Sequence, residues 1–260
     1  MINVGEIYRY IDSFAPFRTA LSFDNAGLLV GSANAPVQRT LLALDITAEV
    51  VEEAKKRGCQ LIISHHPVIF QPVRRLTSES TPYRLAQAGI TAICAHTNLD
   101  LSPQGVNTAL ARALALTELQ TLRWHTPDCG GEPLAYALYG ILKESYTPRE
   151  FAMYVKHALA CEGVRWLSGK KPVKSVALCS GAGGDMVFEA AEQGIDAFVT
   201  GEIKHHELLA AGDAGLTVVD AGHFKTEYVV LSPLAKMLQR QFEEVDFLLS
   251  TSGTDGVHYL

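Results

Sequence analysis

The chain has 260 residues, of which 48% are apolar and 19% charged. This composition excludes intrinsic disorder as the main state, and no apolar run approaches the roughly 18 residues of a membrane span. Net charge is −6, from 22 basic and 28 acidic residues, which argues against general affinity for nucleic-acid backbones. The first residues carry charges inside their apolar pattern and lack a signal-peptide core, so a cytoplasmic protein is expected.

Five cysteines (Cys59, Cys94, Cys129, Cys161 and Cys179) occur without a CxxC spacing. The number is odd, and Cys59, Cys94 and Cys179 lie in or beside apolar runs. They read as reduced core thiols. Cys179, which precedes a glycine turn, is the one candidate for a catalytic thiol.

In chain order, residues 3–14 predict an amphipathic helix with Val4, Ile7, Tyr8 and Ile11 on one face, ended by Pro16. Residues 40–46 predict a buried strand, Thr47 a cap for a helix over 48–57, and Gly58 its stop. A strand follows at 59–64. Pro82 and Tyr83 open a helix that runs to Ala88 and ends at Gly89, and 90–96 predicts another strand. Residues 104–115 are helical. The stretch 124–133 is rich in turn formers and reads as a linker or excursion. Strands are expected at 134–143, 173–179, 195–200 and 216–220, with helices at 148–160, 185–193, 203–211 and about 226–241. The segment EVDFLLS supplies a final strand.

Near-continuous apolar strands alternating with helices predict an α/β fold with parallel sheets covered on both faces. Two α/β lobes are expected: 1–123 plus 215–260 as the first, and 124–214 as the second.

Chemistry-bearing residues collect at strand ends, where such folds place their sites. Ser64-His65-His66-Pro67 ends one strand. Adjacent histidines in extended chain point to opposite faces, and Pro67 disfavours a helix at His66, so each imidazole can serve a different metal ion. A lone histidine there would ordinarily be a hydrogen-bonded structural residue. His96-Thr97-Asn98-Leu99-Asp100 ends a second strand, and pairs an imidazole with a carboxylate. Alone it reads equally as a turn in which Asn98 and Asp100 bond their own backbone. His223 and Glu227, after a third strand, share one face if a helix starts there, and a carboxylate can bridge two ions. Glu227 can equally be a first-turn helix stabiliser.

Three strand ends that each present histidine with a carboxylate or a second histidine make a dinuclear metal site the better reading of the set. Glu202, His205 and His206 follow another strand, either lining the same cavity or forming an exposed helix start. The turn Ser180-Gly181-Ala182-Gly183-Gly184-Asp185 matches neither a Walker nor a dinucleotide pattern. It reads as a tight strand–helix connection, with anion binding by its amides as the alternative.

The segments FDNAGLLVG (23–31), ISHHPVIF (63–70), AHTNLD (95–100), GVN (105–107), TGEIKHHELLAA (200–211) and DAGHFKTE (220–227) occur in the order of the NIF-three-like family. Bacterial members of that family are often labelled GTP cyclohydrolase I type 2 homologues. The resemblance runs from about residue 20 to 235. It implies two α/β lobes with a dinuclear metal site in the cleft between them, assembled as a toroidal homohexamer. It maps the metal ligands onto His65, His66, Asp100, His223 and Glu227, with Glu227 as the bridge. The acidic-aromatic pair that many members carry before the Asp-Asn motif is replaced here by Ser22 and Phe23.

The resulting expectation is a metal-dependent hydrolase holding two divalent ions per chain (Zn, Mn, Fe or similar) and acting on a nucleotide-like substrate. His96, Glu202 or His205 would move the proton. The alternative is a non-catalytic metal-binding hexamer with a scaffold, metal-handling or regulatory role.

Overall fold

Asn3 and Glu6 fix the start of the first helix, α1 (Val4–Phe14). The Glu6 amide donates to Asn3 Oδ1 at 3.0 Å and the Asn3 amide donates to Glu6 Oε2 at 2.9 Å. This reciprocal pair satisfies two amides that have no helical partner. Val4, Ile7 and Ile11 form its buried face. The computed structural model describes residues 1–260 and divides them into two units. The first comprises Met1–Ser102, Pro127–Gly130 and Leu231–Thr254; the second comprises Pro103–Thr126, Gly131–Val230 and Asp255–Leu260.

In the first unit, β1 (Gly27–Val30), β2 (Arg39–Ala43), α2 (Ala48–Lys56), β3 (Leu61–Ser64), α3 (Thr81–Ala88), β4 (Thr91–Cys94) and the single turn α4 (Thr97–Asp100) follow in order. Thr47 caps α2 by accepting from the Val50 amide, as its position predicts. Gly58 and Gly89 take positive φ beyond α2 and α3, the left-handed exit that glycine makes without steric penalty. β2, β3 and β4 are parallel neighbours in the sheet. Strands β3 and β4 are buried along their whole length, which is why they read as unbroken apolar runs.

The second unit holds α5 (Val106–Ala113), β5 (Thr117–His125), β6 (Leu134–Tyr146), α6 (Pro148–Ala158), β7 (Arg165–Leu167), β8 (Val173–Cys179), α7 (Val187–Glu192), β9 (Ala197–Thr200), α8 (His205–Ala214), β10 (Thr217–Asp220) and α9 (His223–Tyr228). Its six strands lie in the order β5-β6-β8-β9-β10-β7. Two apolar clusters flank that sheet. One is built on Phe151, Val155, Val176 and Leu178, the other on Phe198, Met186 and Val218. The chain then returns to the first unit with α10 (Leu231–Gln241) and β11 (Asp246–Leu249). β11 pairs in parallel with β2, completing the sheet order β1-β4-β3-β2-β11.

The mixed α/β class with two sheets agrees with the sequence, but four features differ. Neither sheet is wholly parallel, because β1 runs antiparallel to β4, and β5, β6 and β7 are antiparallel to their neighbours. The stretch 124–133 is the end of β5 and the turn of the β5–β6 hairpin. Residues 103–123 and 215–230, expected in the first lobe, belong to the second unit, because α5 packs on β6 and β8 while β10 is laddered to β9 along its whole length. The helix expected at 203–211 begins at His205, since the Lys204 amide donates to Glu207 and makes Lys204 the cap.

Candidate metal centre

Within the first unit, β3, β4 and α4 bring three imidazoles together. His65, His66 and His96 each offer a ring nitrogen, and the three donor atoms lie within 4.8 Å of one another. Their ring centroids are 5.1 to 5.5 Å apart. β3 stops at Ser64, and the chain turns so that the two adjacent histidines serve one cluster. Ser64 Oγ helps set that turn by donating to the His66 carbonyl at 2.8 Å.

Each ring is held by its Nδ1. His65 Nδ1 donates to the Ala95 carbonyl at 2.9 Å. His66 Nδ1 donates to Asp45 Oδ1 at 2.8 Å, and His96 Nδ1 donates to Asp24 Oδ1 at 2.8 Å. A carbonyl or carboxylate oxygen only accepts, so each Nδ1 carries a proton, and in the neutral ring Nε2 is the nitrogen that can ligate a metal. Carboxylate or carbonyl support of the far ring nitrogen is the arrangement that orients metal-bound histidine. Asp24 also accepts from the amide and hydroxyl of Thr97. Burial pushes its pKa up, but the hydrogen bonds from His96 and Thr97 outweigh that and hold it at about 2. The Asp24 side chain is wholly buried and ionised at neutral pH. Asp100 adds a carboxylate, with Oδ1 3.6 Å from His65 Nε2.

The second unit repeats the arrangement at α9. His223 Nε2 lies 3.1 Å from Glu227 Oε1, one helical turn away, and His223 Nδ1 donates to Glu202 Oε1 at 2.7 Å. Glu227 is 4% exposed. The glycine turn after β8 makes room for it. Gly181 has φ +58°, and a Cβ there would overlap Glu227 Oε1 and lie 3.3 Å from His223 Nε2. Gly201 is equally close, since its Cβ would sit 2.7 Å from the His223 Cα. The Gly181 amide donates to Thr226 Oγ1 at 3.1 Å, locking the turn onto α9.

Of the five residues expected as ligands, His65, His66 and Asp100 lie in the first unit and His223 and Glu227 in the second. His96, expected as a proton carrier, stands among the donor imidazoles of the first unit. Glu202 holds the His223 ring. His205 opens α8 exposed to solvent and His206 beside it is also exposed, so the structure brings neither into a donor group. Cys179 is buried in the apolar cluster on β8 rather than presented at the turn.

Asp24 and Asp45, which orient two of the rings, were not singled out from sequence. Asp45 ends the run TLLALDI and Asp24 opens the Asp-Asn motif, so a carboxylate at a strand end was the available signal. The donor set is imidazole and carboxylate without thiolate. Burial pushes the nearby Cys94 thiol well above its ordinary pKa, which keeps it protonated. Nitrogen and oxygen donors of this kind suit Zn, Mn, Fe and their neighbours.

The sequence matches the family model Duf34/NIF3 (NGG1p interacting factor 3) over residues 2–255. It is 29% identical over 243 residues to a Clostridium acetobutylicum protein named GTP cyclohydrolase 1 type 2 homolog, covering 92% of this chain and 90% of that one. The fold matches the crystal structure of a Staphylococcus aureus hypothetical protein with TM-score 0.91 at 30% identity, covering 99% of each chain. A Bacillus cereus protein related to NIF3 matches with TM-score 0.90 at 25% identity, covering 100% of this chain and 99% of that one.

Proposed function

This chain belongs to the Duf34/NIF3 family, and on that footing we propose that it holds two divalent metal ions and hydrolyses a nucleotide-like substrate. The observation that carries the reading is the state of four histidines. His65, His66, His96 and His223 each have Nδ1 bound to an oxygen acceptor, so all four rings are oriented alike, with Nε2 as the nitrogen turned away from the supporting oxygen. A purely structural histidine has no need of that uniformity. In this reading the ligands are His65, His66, Asp100, His223 and Glu227.

When bound, the two ions supply Lewis acidity and a water acidic enough to ionise near neutral pH. The protein's own part is orientation and proton movement. Asp45 and Glu202 hold the His66 and His223 rings. His96, steadied by ionised Asp24, gives or takes a proton at Nε2. The name carried by the Clostridium relative favours a nucleotide-like substrate. The functional form is a homohexamer.

Elemental analysis of wild type beside His66→Ala and Glu227→Ala tests the centre. About two ions per chain, falling sharply in both variants, is the expected result. Wild type that neither carries nor regains metal on adding Mn, Fe or Zn overturns it. Turnover across a nucleotide panel, abolished in His66→Ala, tests the hydrolase. A fully metallated wild type that turns over nothing would leave the non-catalytic metal-handling hexamer as the better reading.

A further inference from the structure

Next to the imidazole cluster, the first unit leaves two phenyl rings in solvent. Phe23 is 61% exposed and Phe70 is 45% exposed. Their ring centroids lie 6.4 Å apart with planes at 62°, so together they form an open corner. Both are tethered to the candidate centre. Phe23 directly precedes Asp24, the residue that fixes His96. Phe70 follows His66 by four residues on the same loop, and Asn25 Nδ2 pins that loop by donating to the Ile69 carbonyl at 2.6 Å.

The chain beyond Phe70 stays irregular and exposed through residue 79, carrying Arg74 and Arg75 side by side. Neither arginine is engaged in an ion pair. On a chain of net charge −6, two adjacent uncompensated cations are a local reversal of the field. An aromatic corner calls for a flat π-face, and an uncompensated arginine pair calls for an anion.

We propose that Phe23 and Phe70 form the stacking corner for the base of a nucleotide, with Arg74 and Arg75 receiving its phosphate. One planar anion answers both features at once. An apolar partner would answer only the rings, and a simple phosphate only the arginines. The inference rests on the dinuclear-hydrolase reading and names the residues that would position its substrate.

Calorimetric titration of the metal-loaded protein with guanosine and adenosine 5′-monophosphates, and with ribose 5-phosphate as a control that lacks the base, tests it. In Phe23→Ala/Phe70→Ala the nucleotides should bind about ten- to a hundredfold more weakly, the range expected for loss of base stacking. Ribose 5-phosphate should bind alike in wild type and this variant. Arg74→Ala/Arg75→Ala should weaken all three ligands and flatten their salt dependence. Metal content, melting temperature and sedimentation should stay at wild-type values in both variants, since all four side chains are exposed.

Unchanged nucleotide affinity in the phenylalanine variant overturns the inference and leaves the hydrolase reading standing. A change in sedimentation overturns it in favour of a surface between copies of this chain. Metal-loaded wild type that binds none of the nucleotides overturns it while sparing the metal centre. Wild type that holds no metal removes the reading beneath it.

Discussion

At the scale of single residues, the candidate centre is organised from behind its ligands. Removing the acceptor that fixes a ring lets the imidazole rotate or change tautomer without removing a ligand atom. Asp45→Ala should therefore weaken metal affinity about tenfold to a hundredfold, measured by competition with a chromogenic chelator, while melting temperature stays close to wild type. If affinity is unchanged, the Asp45 contact is incidental. Gly181→Ala is a sharper case. The new methyl would meet the Glu227 carboxylate, and the residue would sit at positive φ, a backbone strain of about 1 kcal/mol. It should lose metal together with some stability, whereas Gly194→Ala, also at positive φ but with open space around it, should lose stability alone. Equal metal content in the two variants would contradict the role given to Gly181. The candidate ligands are legible in the sequence because histidine and carboxylate recur at strand ends. Their supporting partners were not, because Asp24 and His96 lie far apart in the chain and only the folded sheet brings them together.

At the scale of elements, the clearest coupling joins α2 to the segment after β11. Glu53, on α2, accepts from Ser250 Oγ at 2.6 Å, from the Thr251 and Ser252 amides at 3.0 to 3.1 Å, and from Arg57 at 2.7 Å. Burial alone would raise its pKa; these donors reverse the effect and bring it from 4.5 down to about 2. A carboxylate whose pKa is lowered on folding stabilises the fold above its unfolded pKa and loses that contribution as pH falls through the folded one. Stability should thus decline from about pH 5 toward pH 2. Glu53→Gln should flatten that decline and cost about 2 kcal/mol at neutral pH, read from urea melts at several pH values. A variant with the same acid limb as wild type would show that other carboxylates set it.

Legibility at this scale followed burial. Strands such as β3, β4 and β9, buried end to end, were plain in the sequence. β5 was not. Most of its residues are exposed, so it lacks both an apolar run and a clean alternation, and its last residues, Trp124 and His125, run into the turn-rich stretch that reads as a linker. β7 is three residues long and mostly exposed, too short to give any period. Capped helices were easier, because Asn3, Thr47 and Thr147 stand where their hydrogen bonds are needed.

At the scale of the whole molecule, the proposed homohexamer predicts a sedimenting species of six times the chain mass, at protein concentrations well below those used for crystallisation. A monomer under those conditions would remove the assembly from the functional picture, leaving the metal centre to be judged on its own. No helix is long and apolar enough to cross a membrane. The division of the chain was the least legible feature at this scale. The sequence shows strands and helices but not which ladder each strand joins, so β10 reads from sequence as part of the first lobe while its ladder places it beside β9.

The return of the chain to its first unit sets an order of events during synthesis. All six strands of the second unit have been made once Asp220 is added, and only its short tail, Asp255–Leu260, is still to come. The first unit, begun earliest, must wait for Asp246–Leu249 before the open edge of β2 is covered. Until then a growing chain exposes the unpaired backbone of a buried strand, the kind of edge that recruits foreign strands. The sheet begun first is thus completed last, and a ribosome stalled between Asp220 and Asp246 would release a chain whose second sheet is whole and whose first is still an adhesive edge.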